Sequence, residues 1–184
     1  MKYLSIILFS LVSLAFLNSC KDDDPTPENP EELITTLRIV FTPVGGTPVT
    51  FEFIDLDGDG GNAPTITGDT LAAQTEYHAT LALFNESVSP VEVITEEILE
   101  EDEDHQFFFE AVSVELTHMY DDMDGNGNPI GVVNSFMTGN PSNGTLRVIL
   151  RHEPDKNAAG VATGDITNAG GDTDIEVTFP VTIQ

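Results

Sequence analysis

The sequence predicts an all-β fold, a single antiparallel β-sandwich, from three observations. Apolar and polar residues alternate with period two in several segments, as they do in a strand with one buried face. Clusters of Gly, Pro, Asn and Asp separate these segments, as turns do. Helical periodicity is scarce in the 184 residues. An immunoglobulin-like arrangement of seven or eight strands is the topology we favour, while a jelly roll or an up-and-down barrel fits the same pattern.

Residues 1–19 predict a lipoprotein signal peptide. Lys2 supplies a short basic region, residues 4–16 are almost unbroken apolar, and the small residue Ser19 precedes Cys20. The stretch from Leu4 to Cys20 is at the lower edge of the roughly 17–25 residues that span a membrane, and no basic stop-transfer cluster follows it. Cys20 is the only cysteine and has no partner for a disulfide within the chain. We therefore interpret it as an acylation site.

Two short motifs around Cys20 resemble those of exported bacterial lipoproteins. The segment 17–20, Leu-Asn-Ser-Cys, resembles a lipobox, and Lys21, Asp22 and Asp23 resemble the export signal of surface lipoproteins in Bacteroidota. The resemblance covers only the first two dozen residues. It implies cleavage before Cys20, acyl chains on that cysteine, and a location on the outer membrane facing the cell surface. Two or more acyl chains give stable anchoring.

Residues 20–32 predict a tether between the acylated cysteine and a folded domain. The segment is acidic, contains Pro25, Pro27 and Pro30, and has almost no apolar residues. In polyproline II form a dozen residues at about 3.1 Å each reach up to about 37 Å. The tether is therefore long enough to lift a domain clear of the membrane.

Residues 33–184 predict one β-sandwich domain, a length sufficient for a real core. Helix-like spacing occurs only over Val93–Asp104, where the acidic content favours a solvated connection, so we expect little or no helix. In the triplet Phe107–Phe109, alternation directs two rings to one face of the strand and Phe108 to the other. The predicted strands lie within Leu37–Phe41, Val49–Phe53, Tyr77–Phe84, Phe107–Leu116, Ile130–Met137, Leu146–His152 and Ile175–Phe179.

The charge of the chain excludes one class of partner. It has 32 acidic and six basic residues and a formal net charge of −26, and removal of a signal containing Lys2 makes the balance more negative. Nucleic-acid binding depends on Lys and Arg contacts to phosphates, so we exclude it. Anionic lipid headgroups are repelled in the same way, which leaves the lipid anchor as the expected link to the membrane.

Two acidic turns are the candidate metal sites, and calcium is the only cofactor that the sequence suggests. Asp55, Asp57 and Asp59 stand at alternate positions in a Gly-rich segment, the spacing by which a calcium loop directs oxygens at one ion. Neither acidic turn has the bidentate Glu of an EF-hand. Ile66 stands at the twelfth position of the turn that begins at Asp55, and Val133 stands at the twelfth position of the turn that begins at Asp122.

The second acidic turn repeats the spacing with Asp122, Asp124 and Asn126. Asp-Gly and Asn-Gly pairs are also the preferred residues of tight β-turns, because they adopt positive φ and their side chains bond the nearby backbone. Both turns lie between predicted strands. The sequence therefore leaves two interpretations open for each, a calcium loop and an ordinary turn.

Catalytic residues are not apparent. The four histidines have none of the close spacings that mark zinc sites, so we expect no transition-metal centre. Neither a Gly-x-Ser-x-Gly elbow nor a phosphate loop occurs. The histidines are His78, His105, His118 and His152.

These observations favour a non-catalytic binding or structural module that is lipid-anchored at the outer membrane. A glycan or an outer-membrane protein is the expected partner. Two alternatives fit the same anchor and charge: a small polysaccharide hydrolase that uses paired carboxylates, and an accessory subunit of an outer-membrane complex.

Overall fold

The computed structural model describes residues 33–58 and 61–184, which form two packed β-sheets. In chain order the strands are β1 (Thr36–Pro43), β2 (Val49–Ile54), β3 (Thr65–Thr67), β4 (Thr70–Leu71), β5 (Glu76–Phe84), β6 (His105–Val112), β7 (Leu116–Tyr120), β8 (Val133–Thr138), β9 (Ser142–His152) and β10 (Asp172–Ile183). One sheet has the order β3-β2-β1-β5-β8-β7 and the other β4-β10-β9-β6. All neighbouring strands are antiparallel except β4 and β10.

The predicted all-β sandwich is confirmed. The described residues form ten strands rather than seven or eight, and the sheets of six and four are larger than the four and three of a constant-type immunoglobulin domain. Two of the additional strands, β3 and β4, are too short to show alternation. A third arises because the predicted run Phe107–Leu116 is two strands, β6 and β7, separated near Ser113, which has a φ of 59°.

The core lies between the inner faces of the two sheets. Leu37, Ile39 and Phe41 alternate along β1 and are fully buried, as the period-two pattern predicts. Phe51 of the six-stranded sheet contacts Phe179 of the four-stranded sheet, with ring centroids 5.7 Å apart. Burial of these large side chains is the main stabilising contribution to such a fold.

A short helix, α1 (Ile94–Glu100), corrects the expectation of a solvated connection. Ile94 and Ile98, one helical turn apart, are buried in the core, so packing outweighs the acidic composition. Glu96 and Glu97 lie in the first turn, where negative charge interacts favourably with the helix dipole. The hydroxyl of Thr95 accepts a hydrogen bond from the backbone N–H of Leu83 at 2.7 Å, which attaches α1 to β5.

A second, smaller core covers the outer face of the four-stranded sheet. Phe107 and Phe109 point into the main core, whereas Phe108 points outward, as alternation predicts. Phe108 is nevertheless fully buried, because Val161 and Ala169 of the connection between β9 and β10 pack on it and on Ile149. This connection contains two short 3₁₀ turns, Val161–Thr163 and Ile166–Asn168.

The two ends of the sandwich carry different loops. At one end, β1 begins at Thr36 opposite the ends of β2 and β5, and the chain passes from β5 through α1 into β6. We call this the α1 end. The turn between β1 and β2, with Val44 at 93% exposure, lies at the opposite end.

Candidate functional site

Two histidines that are far apart in the chain meet at the α1 end. His105 is the first residue of β6 and His152 the last of β9, and the two are directly paired across these strands. His105 continues the inward-facing positions of Phe107 and Phe109, and His152 those of Val148 and Leu150. The side chains on the inner face of the sheet thus change from apolar residues to two histidines at the α1 end.

A β-bulge brings a carboxylate to the same place. In the pairing of β10 with β9, Thr173 faces Arg151 and Ile175 faces Leu150, so Asp174 is an extra residue on β10. A bulge redirects a side chain that regular alternation would send elsewhere, and bulges are common beside functional sites. Here the bulge carries the carboxylate of Asp174 to within 3.8 Å of both histidines.

The three side chains form a compact, mostly buried cluster that we call the His-His-Asp cluster: His105, His152 and Asp174. Three potential ligand atoms, one from each residue, lie within 4.8 Å of one another. His105 Nε2 is 3.8 Å from Asp174 Oδ2, and His152 Nδ1 is 3.8 Å from Asp174 Oδ1. The imidazole rings stack, with centroids 4.8 Å apart and an interplanar angle of 26°. The side chains of His105 and Asp174 are 0% and 2% exposed, and that of His152 is 21% exposed.

The backbone after α1 orients one of these rings. His105 Nδ1 lies 3.0 Å from the carbonyl oxygen of Glu101. Since a carbonyl can only accept a hydrogen bond, Nδ1 is the donor in this contact, and Nε2 faces Asp174. Two imidazole nitrogens and a carboxylate are a ligand set that divalent transition metals use in proteins.

A buried ion pair also lies at the α1 end. Lys156 Nζ donates hydrogen bonds to Asp124 Oδ2 at 3.0 Å and to the carbonyl oxygen of Asp102 at 2.5 Å. The side chains of Lys156 and Asp124 are 3% and 1% exposed. Burial alone would raise the pKa of Asp124, but the backbone N–H of Asn128 and the lysine outweigh it and hold the pKa below its usual value.

The second predicted calcium turn is held by the protein itself. Asp122 accepts hydrogen bonds from the backbone N–H groups of Gly131 and Val133, and Asp124 Oδ1 accepts from those of Asn126 and Asn128. The bonds from Asn126 and Asn128 to Asp124 are local bonds of the Asx type, whereas the bonds to Asp122 come from nine and eleven residues away. Lys156 binds the other oxygen of Asp124. Asn126 takes part through its backbone and not as a side-chain ligand in these bonds. Calcium at this turn stays a prediction.

The first predicted calcium turn follows β2. Asp55 Oδ1 accepts from the backbone N–H of Gly58, and Asp57 Oδ2 accepts from the backbone and side-chain nitrogens of Asn62. The hydrogen bonds from Asn62 lower the pKa of Asp57. Asp59 lies outside the described residues, so calcium at this turn also stays a prediction.

The predicted anchor and signal residues likewise lie outside the described residues. They comprise the signal peptide 1–19, the acylation site Cys20, the export residues Lys21, Asp22 and Asp23, and the remainder of the tether to residue 32. Within the described residues, no helix combines the length and apolar character that a membrane crossing needs.

Each basic side chain of the described domain bonds to the protein itself. Arg38 binds Glu52 through Nε and Nη2. Arg147 binds both Glu110 and Glu176, its neighbours across the sheet. Arg151 donates to the carbonyl oxygen of Gly171, and Lys156 is the buried cation described above. The positive charges of this domain therefore hold strands and loops together.

Sequence reasoning missed the His-His-Asp cluster because it considered histidine spacing along the chain. One signal was present: His105 lies two residues before Phe107 and His152 two residues after Leu150, so alternation puts both on inward faces. The pairing of β6 with β9 and the bulge at Asp174 are long-range features that the local pattern does not contain. Comparison of the chain with protein-family models, curated proteins and solved structures finds no match.

Proposed function

We propose that this chain is a lipid-anchored, non-catalytic module of the outer membrane that displays its β-sandwich at the cell surface and binds or supports a partner there. The observation that carries the proposal is the motif from Leu17 to Cys20 with Lys21, Asp22 and Asp23 directly after it. An apolar segment that ends in a small residue and a lone cysteine is typical of an acylated export signal.

The use of polar side chains in the domain supports a display role over a catalytic one. Asp122, Asp124 and Asp57 accept hydrogen bonds from nearby backbone N–H groups, and so they hold turns in place. A general acid or base must instead reach a substrate proton. These carboxylates therefore suit a stable scaffold better than proton transfer.

The chemistry of the partner follows from the charges. The basic side chains of the described domain already bind carboxylates or carbonyls, while acidic residues greatly outnumber them. A neutral glycan, or an outer-membrane protein that presents a basic surface, fits this surface best. A polysaccharide hydrolase would instead need two carboxylates at a set separation across a cleft, and an accessory subunit would copurify with a larger complex.

Protease access to intact cells tests the proposal. Under the proposal, external protease degrades the wild-type chain on intact cells, whereas a variant with Lys21→Ala, Asp22→Ala and Asp23→Ala is protected until the outer membrane is opened. A Cys20→Ala variant should no longer partition into detergent with the lipoproteins. Equal protection of the wild type and the triple variant would show that these residues do not direct the chain to the outer leaflet.

A further inference from the structure

We propose that His105, His152 and Asp174 form a zinc site that joins β6, β9 and β10 at the α1 end of the sandwich. The inference is independent of the membrane anchor, since it concerns only side chains of the folded domain. It also revises the expectation, drawn from histidine spacing, that the chain has no transition-metal centre.

The distances within the cluster suit donors that share one ion. An N–H···O hydrogen bond brings its heavy atoms to about 2.7–3.2 Å, whereas His105 Nε2 and His152 Nδ1 are each 3.8 Å from an oxygen of Asp174. Two donors bound to one tetrahedral zinc at about 2.0–2.2 Å lie roughly 3.3–3.6 Å apart. The three ligand atoms lie within 4.8 Å of one another, so the side chains would close by up to roughly 1.5 Å on an ion held between them.

The surroundings of His105 match the arrangement around zinc-bound histidines. A metal-binding histidine commonly donates its second ring N–H to a carbonyl or a carboxylate, which fixes the tautomer and the ring orientation. His105 Nδ1 has this relationship with the carbonyl oxygen of Glu101, at 3.0 Å. Nε2 is then the ring nitrogen that faces Asp174, 3.8 Å from its Oδ2.

Ligand type and burial favour zinc at this cluster. The side chains of His105 and Asp174 are 0% and 2% exposed, so an ion held between them would be largely shielded from water. Nitrogen donors combined with one carboxylate suit zinc, whereas calcium takes six to eight oxygen ligands.

The partial exposure of His152 opens the site to solvent on one side. Three protein ligands leave one position of a tetrahedral zinc for water, and the 21% exposure of His152 provides the route by which an ion and a water would reach the cluster. The three ligands come from three strands of one sheet, and Glu101 adds the end of the α1 segment. We infer that zinc stabilises this end of the sandwich.

Zinc titration of the purified full chain, stripped with EDTA, tests the site. The expected result is one zinc per chain bound by the cluster. With zinc at about 100 times its Kd, binding to the native state alone should raise Tm by about 5–10 °C. His105→Gln and Asp174→Asn should each weaken binding by more than the roughly 10- to 100-fold that the loss of an outer-shell partner costs.

His78→Gln is the matched control. His78 Nδ1 also lies 3.8 Å from a carboxylate oxygen, that of Asp121, but His78 is exposed and its side chain is outside the cluster. This variant should bind zinc as the wild type does. Binding that His105→Gln and Asp174→Asn leave unchanged would assign the zinc elsewhere and overturn the proposal.

The test does not depend on the folding of the variants. If a variant fails to fold, the measurements on the wild type still test the proposal. A wild-type chain that does not bind zinc stoichiometrically, or whose Tm zinc leaves unchanged, overturns it. Cobalt(II) provides a second measurement on the wild type, since a site of low coordination number gives intense visible absorption. That absorption should disappear when zinc is added in competition.

Discussion

Removal of the buried lysine should be among the most damaging single changes to this domain. Lys156→Met keeps most of the side-chain volume but leaves the carboxylate of Asp124, whose side chain is 1% exposed, without its cation. Removing one partner of a buried ion pair costs about 3–5 kcal/mol. The variant also loses the hydrogen bond from Nζ to the carbonyl oxygen of Asp102. Since domains of this kind are stable by about 5–15 kcal/mol, a large share of the stability should disappear.

Urea unfolding of the full chain at neutral pH measures this loss. Arg38→Met is the matched control, because Arg38 and Glu52 form an ion pair whose side chains are 36% and 28% exposed. An exposed pair contributes roughly 0.2–1 kcal/mol, so the control should lose about 1 kcal/mol or less. A loss of that small size for Lys156→Met would refute the description of Lys156 and Asp124 as a buried, mutually dependent pair.

Acid should reduce the difference between Lys156→Met and the wild type. In the wild type, the backbone N–H of Asn128 and the side chain of Lys156 hold the pKa of Asp124 below its unfolded value. The contribution of Asp124 to stability is therefore present above the unfolded pKa of about 4 and is lost as the pH falls through the lower folded-state pKa. In the variant, protonation relieves the uncompensated charge. Unfolding measured between pH 7 and pH 3 should therefore show the two stabilities converging.

Three further changes test other parts of the account. Burial lowers the pKa of His118 to about 4, so its contribution to stability should be lost as the pH falls from about 6.5 towards 4. A His118→Leu variant should change less over that window in urea unfolding. Gly144→Ala should cost about 1–3 kcal/mol, because its Cβ would overlap the carbonyl oxygen of Val112. If either acidic turn binds calcium, millimolar calcium should raise Tm relative to chelator, and equal Tm values would contradict the calcium prediction.

The local alternation of the sequence was sufficient to predict the sandwich and much of its core. It placed Phe107 and Phe109 on the opposite face from Phe108 without error. It did not reveal that the connection between β9 and β10 would bury Phe108, because that contact joins residues more than 50 positions apart. The acidic composition of the segment led to the prediction of a solvated connection instead of a helix, although Ile94 and Ile98 have helical spacing.

The candidate metal site could not be predicted from local pattern either, because it also depends on contacts between residues far apart in the chain. His105 and His152 become neighbours only through the antiparallel pairing of β6 and β9, and the bulge that directs Asp174 is a feature of the pairing with β10. In the second acidic turn, local spacing suggested a site for an ion. The structure shows that the oxygens of Asp122 and Asp124 accept hydrogen bonds from backbone N–H groups and from Lys156.

Cysteine labelling on intact cells tests surface display most directly. Val44→Cys places a thiol at 93% exposure at the end of the sandwich opposite the start of β1, whereas Thr36→Cys is a buried control at 0% exposure. The account predicts that a membrane-impermeant maleimide labels Val44→Cys on intact cells, leaves the wild type unlabelled, and reaches Thr36→Cys only after denaturation. Labelling of Val44→Cys only after the outer membrane is opened would contradict display on the cell surface.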